Sequence, residues 1–242
     1  MIHYHPISPL DFFDLIEDIP YAFVLAQYWP HEKYRRFYLE HDWEIVIVDN
    51  GIYEGAPVTE AELDAIGRQI SGERVFVVAP EVMKSSIGTV QAVREFVKKY
   101  SGTKPYEVMV VLQGETIAVL PDFAEKVDPY VDAYAVPIWM YRKGWCRAGV
   151  VKWFKEVIPE TREKYWHALG LDCLLELKEL QGFVESFDTS MPFTAAVHGL
   201  DLEHNLIIKR VKRVNLLGEA FDERVRRLAR KNVETILKWC GP

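Results

Sequence analysis

Short apolar runs that stop on a polar or strand-breaking residue, each with a helical stretch after it, recur along this chain and limit its fold more than any other feature. The clearest is Glu44-Ile45-Val46-Ile47-Val48, apolar on both faces as a buried parallel strand must be, and it ends in Asp49-Asn50-Gly51. Tyr21–Leu25 precedes it. Val75–Ala79, Glu107–Leu112, Ala133–Val136, Trp166–Leu169 and Phe183–Phe187 follow, which makes seven. Helical stretches separate them: Pro30–His41 with proline in its first turn, then about Ser86–Tyr100, Ile117–Val127, Ala148–Ile158 and Leu171–Leu180. Another opens at Thr59-Glu60-Ala61-Glu62, where a Thr followed three residues later by Glu has the form of a capping box.

Strands alternating with helices specify right-handed βαβ units and a parallel sheet. Seven units in 242 residues fit a single α/β domain, a (β/α)8 TIM-like barrel, better than an open sheet. The eighth strand has two candidates, Leu206-Ile207-Ile208 and Val214-Asn215-Leu216-Leu217, failing which the last unit is degenerate. Residues 1–20 read as an irregular lead-in with an amphipathic piece at Leu10–Ile16. Residues 205–242 read as a basic C-terminal segment with a closing helix, Glu219–Trp239, whose buried side is Phe221, Val225, Leu228, Val233, Ile236 and Leu237.

A hydrophobic content of 49 % supplies a sizeable core and excludes disorder. No apolar run reaches the roughly 18 residues of a membrane span, and Met1-Ile2-His3-Tyr4-His5-Pro6 lacks the plan of a signal peptide. Cys146, Cys173 and Cys240 are scattered, which suits a reducing compartment and offers no thiolate zinc site. The expectation is a cytoplasmic protein without membrane contact. Net charge is −7, yet residues 205–242 carry ten basic against four acidic side chains, a local +6 against −13 for the remainder. An acidic total therefore leaves room for a local phosphate-binding face.

The residues just past the strands form a set of their own: Asp49, Glu81, Gln113-Gly114, Pro137, His167 with Gly170, and Asp188. A barrel gathers strand ends on one rim, where such folds keep their chemistry. Carboxylates and a primary amide can read the donors and acceptors of a nucleobase edge. Two more carboxylates near an anomeric carbon can divide nucleophilic from acid–base work, as in retaining glycosyl transfer. Each residue also has a plain structural reading: Asp49-Asn50-Gly51 as a tight turn, Glu81 as a surface residue, Gln113-Gly114 as a loop, Asp188 as a helix cap. Polar residues at several successive strand ends are harder to explain by packing.

The order of these motifs resembles the tRNA-guanine transglycosylase superfamily, including its smaller relatives linked to 7-deazaguanine insertion into DNA, over roughly residues 44–199. Asp49-Asn50-Gly51-Ile52 stands where the family has an Asp-Ser-Gly-Gly-like turn. Glu81 in Ala79-Pro80-Glu81-Val82 stands at the base-binding acid, Gln113-Gly114 matches the family's Gln-Gly, and Asp188 falls at the late strand-end nucleophile. There are departures. The cysteine-rich zinc motif is absent, the second glycine after Asp49 is missing, Glu replaces Asp at 81, and Ala135-Val136-Pro137 replaces a glycine pair against the base.

The resemblance implies base exchange by double displacement. Asp188 attacks C1′ of a guanosine nucleotide, Asp49 moves protons as guanine leaves and a 7-deazaguanine enters, and Glu81 and Gln113 hold the base. Asn50, Gly51, Gly114, Pro137 and Gly170 complete the expected pocket, with no metal and no cofactor. The acceptor is DNA or tRNA, and a homodimer is compatible. Hydrolysis by the same two carboxylates, as in a nucleosidase or glycoside hydrolase, is a second expectation. An inactive barrel that binds nucleic acid or a protein partner is a third.

Trp139, Tyr141, Arg142, Lys143, Trp145 and Arg147 interleave aromatic and basic side chains beside this rim, which suits unstacked bases and phosphates. Lys209, Arg210, Lys212 and Arg213 form a second candidate phosphate contact. The plain alternative is a packed lid with solvated charges. His3 and His5 alternate as ligands can, but lack carboxylate or thiolate support, and read as a terminal segment. His198 and His204 flank Asp201 and Glu203 without a strong metal pattern, and His167 reads as a core or rim residue.

Overall fold

The computed structural model describes residues 1–100, 102, 104–208, 214–218 and 220–241. Eight strands run parallel: β1 His3–Pro6, β2 Tyr21–Leu25, β3 Ile45–Asp49, β4 Arg74–Val78, β5 Glu107–Val111, β6 Ala133–Pro137, β7 Tyr165–Leu169 and β8 Ser186–Thr189. They form one sheet in the order β1-β8-β7-β6-β5-β4-β3-β2. The helices are α1 Glu32–Glu40, α2 Glu60–Gln69, α3 Ser86–Tyr100, α4 Leu120–Val127, α5 Ile138–Arg142, α6 Arg147–Val157, α7 Leu174–Leu180, α8 Met191–Val197 and α9 Glu223–Cys240. The architecture is the expected (β/α)8 TIM-like barrel, nearly closed.

The eighth strand comes from the N-terminus, not from the C-terminal candidates. His3–Pro6 pairs with Ser186–Thr189, so part of the expected lead-in is a barrel strand. Its inward face carries imidazoles, which hid the apolar alternation that marks the other strands. Those rings close the seam with β2: His3 stacks on Tyr21 at 4.3 Å, and His5 Nδ1 donates to the Ala22 carbonyl at 3.0 Å. Burial, first, and the neighbouring His167 hold the His5 pKa well below its usual range, so the ring is buried neutral. Residues 206–208 instead lie on the loop between β7 and α7, where Leu174 N bonds to Leu206 O and Ile208 N to Asp172 O.

Side chains alternate strictly across the sheet. Contacts across the barrel identify the inward set: Phe76 stacks on Tyr165 at 4.7 Å, Phe23 on His167 at 5.8 Å, and His5 meets His167 edge-on at 5.6 Å. The outward set packs under the helices, as Trp166 does on Tyr134 at 4.9 Å and Phe187 on Tyr4 at 5.5 Å. The capping box is present, with Glu62 N on Thr59 Oγ1 at 3.3 Å and Thr59 N on Glu62 Oε2 at 2.7 Å. The last strand starts three residues later than its apolar run, because Phe183 and Val184 bond back to Leu180 in a turn. Asp188 and Thr189 are thereby inside β8, and Met191-Pro192 opens α8 with proline in its first turn.

Candidate functional site

Asp49 is the last residue of β3, on the same inward face as Ile45 and Ile47. Its Oδ2 accepts from Gly51 N at 2.9 Å, a tight turn that Gly51 makes at φ +75°. A Cβ there would stand 2.5 Å from the Ala56 carbonyl oxygen, so only glycine fits. Asn50 ties the turn to β4 by donating to the Ala79 carbonyl at 2.9 Å. Burial, then the Glu54 carboxylate, push the Asp49 pKa well above the usual carboxylate range, against the opposing bond from Gly51. Asp49 is thus built to hold a proton.

Asp188 lies across the same mouth. Its Oδ1 accepts from Gly170 N at 2.8 Å and from His167 Nε2 at 2.9 Å. Gly170 adopts φ +76° and a Cβ on it would stand 3.2 Å from Ile138 Cβ, so the left-handed turn that aims its N–H at Asp188 requires glycine. Asp49 and Asp188 line one cleft of about 230 Å³ with Phe23, Leu25, Pro137, Leu169 and Gly170. That is the scale of a small ligand and not of a duplex.

Below the rim, His167 Nδ1 lies 2.7 Å from Ser186 Oγ, and both residues are fully buried. The order hydroxyl, imidazole, carboxylate is that of a serine hydrolase triad. Here its direction is reversed: the serine is sealed beneath, and the carboxylate faces the cleft.

Glu81 and Gln113 are together but face each other. Gln113 Nε2 donates to Glu81 Oε2 at 2.5 Å, and Gln113 Oε1 accepts from Lys84 N at 2.9 Å. Lys84 is held at φ +64°, a left-handed conformation that costs a non-glycine residue about 1 kcal/mol. Burial raises the Glu81 pKa to about 7, with the bonds from Gln113 and Asn50 opposing. Neither residue lines the cleft, nor do Asn50, Gly51 and Gly114; Gly114 packs against Val119.

The aromatic-basic segment divides. Its first part is the short helix α5, and Trp139 and Trp145 meet edge-on at 5.5 Å with the Lys143 ammonium 5.0 and 5.6 Å from their rings. Tyr141 is half-buried beside Cys173, its phenol pushed up to about 12 chiefly by burial. Arg142 lines the cleft, donating Nη1 to the Tyr53 hydroxyl at 2.7 Å and Nε to Asp172 at 3.0 Å. Arg147 is not a nucleic-acid contact. It is buried and uses its five N–H groups on Glu176 (2.7 and 3.0 Å) and on the carbonyls of Val136 (3.1 Å), Leu169 (2.9 Å) and Gly170 (2.8 Å). Lys209, Arg210, Lys212 and Arg213 lie outside the described residues.

On α9, Arg226 is bonded to Asp11 and Asp14, and Lys231 to Asp201 and Glu203 at 2.7 Å each. Asp201, Glu203 and His204 bring ligand atoms within 4.8 Å of one another, but the Lys231 ammonium already bridges the two carboxylates. No helix among the described residues is long and apolar enough to cross a membrane.

The reading of strand ends missed His167 as a partner of Asp188, and Ser186 with it. The signal was there: each stands two residues before a rim residue, Leu169 and Asp188, and so on the same inward face. It also missed Gln27, whose buried amide has no hydrogen-bond partner and lies beside the Gly51 turn. The class defined by fold and site is a TIM-like barrel with two inward carboxylates in one rim cleft. Neither the protein-family models nor the curated protein sequences contain a match to this chain.

Proposed function

We propose that the protein is a base transglycosylase that exchanges guanine for a 7-deazaguanine in DNA or tRNA through a covalent glycosyl-Asp188 intermediate. The observation that carries this reading is the shared cleft of Asp49 and Asp188, one carboxyl built to hold a proton and the other anchored by a single oxygen. Asp188 Oδ2 attacks C1′ of the nucleotide as the C1′–N9 bond breaks. The electron pair leaves with guanine, and the Asp49 proton neutralises it. In the second half, N9 of the incoming base loses its proton to Asp49 and attacks C1′, and Asp188 departs as carboxylate.

The cleft's size requires the target base to leave its stack, as in other enzymes that work on bases. Glu81 and Gln113, which stand outside the cleft, reach the base edge only once their mutual bond opens, and Arg142, which lines the cleft, meets the strand. Incorporation of labelled guanine or 7-deazaguanine into tRNA or single-stranded DNA tests the reading. Asp188→Ala abolishes incorporation and the covalent adduct. Unchanged incorporation by Asp188→Ala removes Asp188 from the nucleophile's role, and release of base without incorporation assigns the two carboxylates to hydrolysis.

A further inference from the structure

We infer that the buried Ser186–His167 pair is a positioning device for the Asp188 carboxylate, fixing Oδ1 so that Oδ2 alone is presented to the cleft. The role of Asp188 as nucleophile rests on the transglycosylase reading; the positioning itself does not. A carboxylate only accepts, so His167 Nε2 carries the proton in the 2.9 Å bond to Asp188 Oδ1. In that tautomer Nδ1 is the acceptor, and the Ser186 hydroxyl donates to it at 2.7 Å. The carboxylate thus selects the tautomer, and the serine hydroxyl, which can donate or accept, holds the ring by its other nitrogen. Gly170 N–H supplies the second bond to the same oxygen, and the Arg147 guanidinium holds the Gly170 carbonyl at 2.8 Å. Among the described residues Oδ2 accepts no hydrogen bond, and that asymmetry is what a nucleophile needs: one oxygen fixed, one free.

The same donors act again in the second half of the exchange. When C1′ passes to the incoming base, negative charge returns to Asp188, and two pre-aimed N–H groups in a dry site receive it without reorganisation. The imidazole plane is fixed by packing alone on its other sides, stacked on Phe23 at 5.8 Å and edge-on to His5 at 5.6 Å. His5 cannot replace it, since its Nδ1 is committed to Ala22 O.

The test uses the full chain with His167→Phe, which keeps the ring and removes the donor, His167→Gln, which restores an N–H near Nε2, and Ser186→Ala. His167→Phe lowers kcat for base exchange by about 10²-fold, in line with loss of one aimed donor, with KM for the base little changed. His167→Gln recovers at least about tenfold of that loss, and Ser186→Ala costs less than His167→Phe. Imidazole ¹⁵N spectra of the free protein read the device without substrate: His167 is protonated at Nε2 in the wild type and in Ser186→Ala, and becomes a tautomer mixture in Asp188→Ala. A His167 protonated at Nδ1, or His167→Phe exchanging within threefold of wild type, overturns the inference. Equal losses in His167→Phe and His167→Gln also overturn it, because packing would then explain both. Absent exchange in the wild-type protein with Nε2 protonated overturns the transglycosylase reading and supports the positioning chain.

Discussion

The two polar pairs on the rim are made of similar groups and do opposite things. Asp49 and Asp188 both line the open cleft, Asp49 tied to the turn after its own strand and Asp188 to the end of the neighbouring β7. Glu81 and Gln113 are closed on each other at 2.5 Å, and Gln113's other end is taken by Lys84 N. An open pair can act on a ligand at once, while a closed pair must first lose a bond. The proposed function accordingly gives chemistry to the first pair and recognition to the second. Substitutions at the two should separate kcat from KM.

The largest effect is expected at the open pair. Asp188→Asn keeps the shape and the acceptor for Gly170 but removes the proposed nucleophile, and exchange is expected to fall by at least about 10⁴-fold. Single-turnover incorporation of labelled base measures it. A loss of tenfold or less would make the two pairs alike and end the comparison.

Next is Arg147, which holds the Gly170 turn behind Asp188. Its guanidinium is bonded to buried Glu176 and to the carbonyls of Val136 and Leu169 near the ends of β6 and β7. Arg147→Met strands the Glu176 carboxylate in the interior, and urea unfolding should show a loss of about 3–5 kcal/mol. A loss under about 1 kcal/mol would return Arg147 to the surface role that its place in an aromatic-basic segment suggested.

The closed pair gives a pH signature. The Glu81 pKa rises from an ordinary 4.5 to about 7 in the fold, so the folded state holds its proton more tightly than the unfolded chain. The resulting stability is complete below the ordinary value and is lost as pH rises through 7, by up to about 3 kcal/mol. Glu81→Gln keeps the acceptor for Gln113 and has no charge to bury. Its melting temperature should match wild type near pH 4 and exceed it at pH 8, by about 2–4 °C per kcal/mol recovered. In exchange assays the same variant should raise KM for guanine about tenfold, as expected for a lost base-edge bond, and leave kcat within a few-fold. Parallel melting curves across pH would show that Glu81 is ionised without cost and that the pair is not closed.

How much of this was legible in the sequence follows from what each side chain faces. Strands β2 to β6 announced themselves because both their faces are apolar, β7 did so despite one inward imidazole because aromatic and aliphatic residues flank His167, and Asp49 and Asp188 stood out as carboxylates at the ends of such runs. β1 was illegible because its inward residues are His3 and His5, and a polar side chain inside a barrel breaks the pattern that marks a strand. The closing helix kept its existence but shifted its buried face. Asn232, fully buried, bonds Leu202 N at 2.9 Å and the carbonyls of Pro192 and Leu200 at 3.1 and 3.0 Å, while Leu237 is exposed. Arg147 was misread for the same reason: a charge in the sequence looks solvated until its partners, 11 to 29 residues away, are seen to enclose it.

The smallest effect is expected at Arg142, which shares its segment with Arg147 and nothing of its surroundings. Its side chain is 42 % exposed, against 0 % for Arg147. It spans the cleft mouth from Asp172 to the Tyr53 hydroxyl, with a two-nitrogen contact to one carboxylate oxygen. Lysine has one ammonium and cannot serve both partners, so Arg142→Lys should open the span between the β3 and β7 loops. Water and salt already weaken an exposed pair of this kind. The cost in urea unfolding should stay below about 1 kcal/mol and shrink further as ionic strength is raised. A loss above about 2 kcal/mol, unchanged by salt, would mean that the mouth is as dry as the floor beneath it, and that both arginines belong to one buried frame.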